Sequence, residues 1–287
     1  MDTSFAICTD LHFGPEAHHE GKLRKLTAHA GALLGGVIDA VDRTPNVELL
    51  VNLGDDIEDE HRQADLARYG ECISILDRAK ADRLHVAGNH DTIHLAEGDL
   101  QAAWDRSATW AKSAWAATRR LYYSLDRGGC HFVVLHTVEE PGVRITVSDD
   151  QLTWLEADLR STTLPIIVLM HHSAADQVLI GNRWFEGRAH VCLVQERKRL
   201  RALFEAHRPS AEREGILAVF NGHLHWNHVD VINGIPYVTV QSLIENLDDD
   251  APGRPAAAYA IVHVARSRVS VDVRGVEPAR YQFDRPR

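Results

Sequence analysis

The opening stretch FAICTDLH, Phe5–His12, decides the fold of this chain. Its first half is a short apolar run typical of a buried β-strand, and its second half is polar. A second apolar run, Glu48–Leu53, is followed in the same way by Gly54 and Asp55. Between the two runs, Lys22–Asp42 carries apolar residues at helical spacing. Strand, helix and strand in this order predict a βαβ unit with a parallel sheet, whose ligands bind outside the carboxyl ends of the strands.

Five short polar clusters each follow an apolar run. Imidazole and carboxylate groups that converge from several strand ends would form a pocket rich in nitrogen and oxygen, which suits hard or borderline divalent metals. One cluster alone means little, because eighteen histidines in 287 residues produce some by chance. Five at successive strand ends predict a dinuclear metal site. The clusters are Asp10-Leu11-His12, Gly54-Asp55, Gly88-Asn89-His90-Asp91, His171-His172 and Gly222-His223-Leu224-His225.

In order and spacing, the clusters resemble the calcineurin-like metallophosphoesterase family over roughly Phe5–Asp230. The resemblance implies a site for two metal ions, divalent or trivalent, that are bridged by Asp55. It also implies that His90 contacts the phosphoryl oxygen of the substrate or protonates the leaving group, and that Asp91 orients His90. The implied ligands are Asp10, His12, Asp55 and His225 for one ion, and Asp55, Asn89, His171 and His223 for the other.

The chain departs from the family pattern at two places. The fourth cluster continues as His171-His172-Ser173 where many relatives have a proline, so His172 competes with His171 as the ligand. The acids after the second cluster also differ. We expect Asp56 and Glu58 to be solvated loop acids.

The residue types suit the hydrolysis of phosphate esters. Two metal ions about 3.5–4 Å apart can hold the attacking and leaving oxygens of an in-line displacement, and they acidify a bound water to hydroxide. A bridging carboxylate such as Asp55 has two oxygens to offer, and Asn89 supplies a neutral oxygen ligand. An imidazole beside a carboxylate, as in His90 with Asp91, can protonate a poor leaving group near neutral pH. Fe, Mn, Zn or Co would be accepted by these ligands.

The second half of the chain predicts another sheet. Leu121–Leu125 and His131–His136 flank a turn-rich link and predict a hairpin. Ser148 and Gln151 have the spacing of a capping box, which predicts the start of a helix. Together with the family resemblance, the pattern predicts an α/β fold, a four-layer α/β/β/α sandwich of two mixed β-sheets flanked by helices. Further strands are predicted at Arg83–Ala87, Ile166–Met170, Ile216–Phe220, Tyr237–Val240, Tyr259–Val264 and Val269–Val273.

Length and composition favour one compact enzyme. At 287 residues, 45% of them hydrophobic, the chain can bury a large core, and we predict a single domain over residues 1–287. Residues 96–117 are predicted to form a helical insertion that roofs the site, packs at its edge or forms a dimer contact. The scattered cysteines are expected to be reduced and mostly buried. No leader-like or membrane-length apolar segment is apparent, so we expect a cytoplasmic protein without a membrane partner.

The net charge bears on the partners. It is formally −10, and the chain lacks the basic stripe of proteins that bind nucleic-acid backbone. The densest basic run, Arg197-Lys198-Arg199 with Arg201, is expected to be the solvated face of a helix. We therefore predict a small-molecule phosphoester substrate and no nucleic-acid polymer. The oligomeric state is open, with a homo-oligomer among the alternatives.

Loops between the clusters are expected to form the walls of the substrate pocket. Arg183 is a candidate contact for phosphate, and Trp184 and Trp226 are candidates for stacking on a base or aryl group. Each has an ordinary alternative, since an exposed arginine or a tryptophan packed under a loop fits the sequence equally well. The other predicted substrate contacts are Asn89, His90 and His172.

Three functions remain open. The Gly-His-x-His ending resembles small bacterial members of the family, the class III phosphodiesterases of cyclic nucleotides and glycerophosphodiesters, which favours a phosphodiesterase. A phosphomonoesterase or nucleotide diphosphatase would use the same metals but would need extra cationic contacts, and the sequence shows no obvious Arg or Lys beside the clusters. A non-catalytic scaffold with this fold is disfavoured because every ligand position is filled.

Overall fold

Two large β-sheets form the centre of the computed structural model, which describes residues 2–210 and 212–285. The described residues contain sixteen strands and seven α-helices. The strands are β1 (Asp2–Cys8), β2 (Ala17–His19), β3 (Lys22–Lys25), β4 (Val47–Asn52), β5 (Asp82–His85), β6 (Tyr123–Arg127), β7 (Cys130–Val134), β8 (Val138–Glu140), β9 (Arg144–Thr146), β10 (Ile166–Leu169), β11 (Ile216–Asn221), β12 (His228–Ile232), β13 (Ile235–Thr239), β14 (Tyr259–Ala265), β15 (Arg268–Arg274) and β16 (Ala279–Asp284). The helices are α1 (Ala30–Arg43), α2 (Arg62–Leu76), α3 (Asn89–Thr92), α4 (Glu97–Ser107), α5 (Lys112–Thr118), α6 (Asp149–Ser161) and α7 (Arg197–Ala206).

Both sheets are mixed. The first has the order β16-β15-β14-β1-β4-β5, and the second has the order β12-β13-β11-β10-β7-β6. Parallel pairing joins β1, β4 and β5 in the first sheet and β7, β10, β11 and β13 in the second. The remaining strands pair antiparallel. The prediction of two mixed sheets is confirmed, and the parallel strands of each sheet present their carboxyl ends at one edge.

The sheets pack face to face through an apolar core. Phe5 of β1 meets Phe132 of β7 and Phe220 of β11 edge-on, with ring centroids 5.4 and 5.9 Å apart. Because side chains alternate along a strand, Val133 points away from this core and belongs to a second apolar cluster, which includes residues of α6 and α7. Leu34 of α1 belongs to the cluster of the first sheet. The predicted four-layer sandwich is therefore confirmed.

The predicted helix over Lys22–Asp42 is wrong in its first part. The helix begins at Ala30, and Lys22–Lys25 instead forms a hairpin with Ala17–His19. The backbone N–H of Leu26 donates to the carbonyl of Ile244, which docks the hairpin onto a distant loop. Tertiary bonding thus overrides the local helical spacing.

The capping prediction for α6 is confirmed on one side only. Ser148 Oγ accepts the backbone N–H of Gln151 at 3.2 Å, as a helix N-cap does. The Gln151 side chain does not return to Ser148 but bonds both backbone groups of His136, at 2.7 and 2.8 Å. The helix start therefore also fixes the end of β7.

The segment 96–117 packs into the protein core. Trp104 and Trp115 are at most 2% exposed, and Trp104 Nε1 donates to the hydroxyl of Tyr69 on α2 at 2.8 Å.

The basic run on α7 is less solvated than expected. Arg201 is buried, and its guanidinium donates to the carbonyl of Ala174 at 2.9 Å.

Two further observations concern the cysteines and the helices. All four cysteines are buried. Across residues 2–210 and 212–285, no helix combines the length and the apolar character needed to cross a membrane.

Candidate metal centre

Each polar cluster directly follows one strand: β1, β4, β5, β10 or β11. The first three strands belong to one sheet and the last two to the other, so ligands from both sheets meet at a shared edge. Asp55 Oδ2, after β4, lies 3.2 Å from His171 Nε2, after β10. The predicted side chains therefore converge between the sheets.

The first predicted ligand group is compact. His225 Nε2 lies 3.3 Å from both Asp10 Oδ1 and His12 Nε2. His12 Nε2 lies 4.0 Å from Asp10 Oδ1 and 3.7 Å from Asp55 Oδ2. All four side chains are buried. Such separations fit ligands that surround one ion at bond lengths of about 2.0–2.2 Å.

The second predicted group has buried atoms without hydrogen-bond partners. Among the described residues, Asn89 Oδ1 and His223 Nε2 have none, and His171 Nε2 has only the 3.2 Å contact with Asp55 Oδ2. An unsatisfied buried polar atom costs about 1–3 kcal/mol, which coordination to a cation would remove. Asp55 Oδ2 lies beside both groups, at 3.2 Å from His171 and 3.7 Å from His12. The donor set thus fits two N/O-bound metal ions with Asp55 between them.

Hydrogen bonds orient the imidazoles. His12 Nδ1 lies 2.9 Å from Glu58 Oε2, and His225 Nδ1 lies 2.9 Å from Glu245 Oε2. His171 Nδ1 contacts the carbonyl of Leu53 at 2.9 Å. Each contact leaves Nε2 as the nitrogen for a metal, as in carboxylate–histidine–metal arrangements.

The two acids after Asp55 are not solvated, contrary to the expectation. Glu58 is largely buried because it holds His12. Asp56 is fully buried and accepts from Asn52 Nδ2 at 2.5 Å, and burial raises its pKa to about 6.

The backbone is strained where the ligands sit. Left-handed φ angles between 45 and 64° occur at five of the seven predicted ligands. A non-glycine residue in this region costs on the order of 1–3 kcal/mol and persists only where the surroundings enforce it. The strained ligands are Asp10, His12, Asp55, His223 and His225.

Two cluster glycines allow the ligand loops to cross. A Cβ at Gly88 would lie 2.1 Å from Asp55 Oδ1, and one at Gly222 would lie 2.0 Å from Thr9 Oγ1. Neither position has room for a side chain. The glycines in the sequence clusters are therefore explained by close approach rather than by ligation.

Asp91 has a different task from the one predicted. Its carboxylate accepts the backbone N–H groups of Gly88, Asp55 and Asp56 at 2.8–2.9 Å. Burial and the charges of Asp56 and Asp55 raise its pKa well above the usual range. Asp91 thus ties the second cluster to the third.

The partner of His90 is Asp59, which the sequence reasoning missed. Asp59 Oδ1 lies 2.5 Å from His90 Nδ1. Because the Asp91 carboxylate is occupied by backbone amides, the expected orienting contact is corrected to Asp59. The sequence feature that could have indicated Asp59 is its position four residues after Asp55, in the same loop.

Carboxylates and imidazoles of the centre fix one another's protonation. Burial alone would raise the pKa of Asp10, but the charge and hydrogen bond of His225 lower it to about 2. Burial alone would lower the pKa of His225, but Asp10 and Glu245 raise it to about 9. The pKa of His171 also rises to about 9, because Asp55 outweighs burial. A bound metal cation would displace these two protons at neutral pH.

A cavity of about 260 Å³ opens onto this edge. Asp55, His90, His223 and His225 line it, so the proposed ligands and the proposed proton donor share one space. No residue of the 96–117 segment is among the described lining residues, so this segment does not roof the cavity.

One wall of the cavity joins a predicted residue, Trp184, to Lys25, which was not predicted. Lys25 and Trp184 line it, with Lys25 Nζ 2.8 Å from Glu58 Oε2 and 5.6 Å from the Trp184 ring centroid. Trp184 Nε1 donates to Glu245 Oε2 at 3.0 Å. Lys25 was hidden in the sequence because it fell inside the predicted helix.

Of the six predicted substrate contacts, His90 and Trp184 are among the described residues that line this cavity. Arg183 instead donates to the backbone carbonyls of Asn246 and Asp248 and braces that loop. Trp226 stacks on His228 with ring centroids 4.7 Å apart. Asn89 and His172 are buried behind the cavity surface.

Comparisons with known proteins agree with this arrangement. The sequence profile of the family described as calcineurin-like phosphoesterase matches residues 3–227. Among curated proteins, none matches the chain significantly.

Solved structures give likenesses of fold at low identity. GAP50, the anchor in the inner membrane complex of Plasmodium, is 11% identical, with 100% of this chain and 90% of that chain covered and a TM-score of 0.62. The phosphopantetheinyl hydrolase PptH of Mycobacterium tuberculosis is 12% identical, with 84% and 90% covered and a TM-score of 0.47. A predicted phosphoesterase of Streptococcus pneumoniae is 12% identical, with 99% of each chain covered and a TM-score of 0.43. The profile match spans most of the chain and all five clusters, and the chain therefore belongs to the calcineurin-like phosphoesterase family.

Proposed function

We propose that this chain is a metal-dependent phosphodiesterase that hydrolyses small organic phosphodiesters. The observation that carries the proposal is the convergence of ligand-type side chains around Asp55, some of them with buried atoms that lack hydrogen-bond partners among the described residues. They are Asp10, His12, His171, His223 and His225. Two metal ions, when bound, would supply positive charge to the phosphate oxygens and acidify a water for attack.

His90 is the residue that would protonate the leaving oxygen. Its Nδ1 is held by Asp59, so Nε2 is the nitrogen available to the substrate. The side chain is 23% exposed and lines the cavity. Asp59 holds the ring through this contact, and an imidazole held beside a carboxylate can act as a general acid.

The charge of the cavity wall favours a monoanionic diester over a dianionic monoester. Among the described lining residues, Lys25 is the one Lys or Arg, and Glu58 neutralises it at 2.8 Å. Arg183 is occupied by loop carbonyls and lies 3.5 Å from Glu245 Oε1. A second negative charge on the substrate would therefore find no unpaired cationic side chain in this lining.

One observation favours the alternative, a phosphomonoesterase or nucleotide diphosphatase. Lys25 does line the cavity, contrary to the expectation that the clusters lack a nearby Lys or Arg. A dianionic substrate that displaced Glu58 from Lys25 would gain a direct cationic contact.

Hydrolysis of two model substrates tests the proposal. Metal-stripped protein is reloaded with Mn²⁺ and given bis(p-nitrophenyl) phosphate or p-nitrophenyl phosphate. We expect the diester to be hydrolysed with the higher kcat/KM, and a preference for the monoester would establish the alternative. Absence of both activities in protein that binds metal would favour the scaffold.

A pair of matched variants controls this assay. Asp55→Asn removes one charge from the shared ligand and should abolish both metal retention and hydrolysis. Asp39→Asn makes the same change on the exposed surface of α1 and should leave both unchanged. Hydrolysis retained by Asp55→Asn would count against the mechanism.

A further inference from the structure

His172 is a buried imidazole that neither the family pattern nor the proposed mechanism uses. Its side chain is fully buried, and Nδ1 lies 2.7 Å from Thr137 Oγ1. The other ring nitrogen, Nε2, has no hydrogen-bond partner among the described residues. A buried polar atom without a partner calls for an explanation, and an unrecorded ligand is one.

The surroundings of His172 point to a metal ion. Its ring lies 4.1 Å from that of His223 and 4.8 Å from that of His171, centroid to centroid. One ligand nitrogen from each of the three residues lies within 4.8 Å of the others. Two of the three, His171 and His223, are ligands that the family resemblance implies for the second ion. Among the described residues, His223 Nε2 also lacks a hydrogen-bond partner, and His171 Nε2 faces Asp55 Oδ2 at 3.2 Å.

Burial alone does not produce this arrangement. His136 is likewise buried with an Nε2 that has no partner, but it belongs to none of the metal-type groups of the described residues. The two histidines thus share burial and differ in their neighbours.

We infer that His172 is an additional imidazole ligand of the second metal position, beside His171 and His223. The inference rests on one part of the proposed function, namely that the centre binds two metal ions. Nitrogen ligands favour Zn²⁺ and similar borderline ions over Mn²⁺, which prefers oxygen. The first position, with Asp10 and Asp55, is richer in carboxylate. The second position is therefore selective for Zn²⁺, and His172 is a source of that selectivity.

Calorimetric titration of metal-stripped protein with Zn²⁺ and, separately, with Mn²⁺ tests the selectivity. The wild-type chain should bind two ions. His172→Gln should weaken the second Zn²⁺ by at least about tenfold and the second Mn²⁺ by less than about threefold, because oxygen-preferring ions depend less on an imidazole. His136→Gln is the matched control and should change neither affinity.

A direct readout on the wild-type chain does not depend on how a variant folds. With ¹⁵N-labelled histidine and bound Zn²⁺, Nε2 of His172 should give a metal-bound resonance that is missing from His172→Gln. An unligated Nε2 in protein that holds two zinc ions would overturn this inference alone. Failure of the wild-type chain to bind any ion would overturn both the inference and the proposed function.

Discussion

Replacing Asp59 with asparagine tests the role of His90 as proton donor. Asp59 Oδ1 lies 2.5 Å from His90 Nδ1, and the two side chains are 21% and 23% exposed. A hydrogen bond to a charged group contributes roughly 1.5–3 kcal/mol, whereas a neutral one contributes roughly 0.5–1.5 kcal/mol. The asparagine keeps the acceptor and loses the charge, which removes about 1–1.5 kcal/mol. If this hydrogen bond stabilises the transition state and not the ground state, losing that free energy lowers the rate about 5- to 10-fold.

The leaving group determines whether this loss appears in the rate. A p-nitrophenolate leaves without a proton, but an alkoxide needs one. For diesters that share the retained group, Asp59→Asn should lower kcat/KM about 5- to 10-fold with an alkyl leaving group and less than about twofold with p-nitrophenyl. Glu60→Gln is the neighbouring control, because Glu60 pairs with Arg68 and does not contact His90.

The comparison can refute the reasoning. An equal fall in kcat/KM with both leaving groups would mean that Asp59 contributes to substrate binding or supports the metal centre, and not to protonation of the leaving group. A double variant that also carries His90→Asn should be no slower than His90→Asn alone, because Asp59 acts through His90. A double variant that is slower than His90→Asn would contradict the claim that Asp59 acts through His90.

Two further predictions concern the fold that holds the centre. Gly222→Ala places a Cβ 2.6 Å from Asp10 Oδ2 and should cost one bound ion and lower Tm, as measured by metal analysis and thermal unfolding. Gly36→Ala, in an open part of α1, is the control and should stabilise by up to about 1 kcal/mol. His131 is buried, and although burial alone would lower its pKa, Asp158 at 2.9 Å and a second carboxylate raise it. The resulting stabilisation is fully present below the unfolded pKa of about 6.5 and is lost as pH rises through the higher folded value. Urea unfolding of His131→Gln should therefore show a loss of about 2 kcal/mol at low pH and a smaller loss well above neutrality, and equal losses would exclude the ion pair.

The convergence of the polar clusters could be predicted because their signal is local. Each follows an apolar strand within a few residues, and parallel strands end at a common edge, so Asp10 and Asp55 had to come close once the βαβ unit was recognised. The residues that orient the ligands carry no such signal. Glu245 holds His225 from a loop after β13, and nothing in its neighbourhood marks it.

Lys25 was missed as a residue of the cavity lining for a related reason. Lys22–Lys25 has one face of a helical pattern and also the alternating burial of a strand, and four residues cannot distinguish them. The decision comes from backbone bonds to Ile244 and to Asn246, which are far away in sequence. The predicted helix placed Lys25 away from the cavity, so the predicted cavity lacked a cationic side chain. In the structure Lys25 lines the cavity, and its positive charge could also serve a dianionic monoester.

The anchoring of the imidazoles shows how this centre is assembled. His12, His171 and His225 are each held at Nδ1 by a group outside the ligand set. Together with left-handed backbone at five of the proposed ligands, this means that the fold sets the positions of these side chains and bears the strain. A preorganised shell accepts whichever suitable ion is available, so selectivity has to come from the choice of donor atoms rather than from rearrangement. The Nε2 atom of His172 matters for this reason. It would add a nitrogen ligand to one of two metal positions that share the Asp55 carboxylate, and the two positions would then prefer different ions.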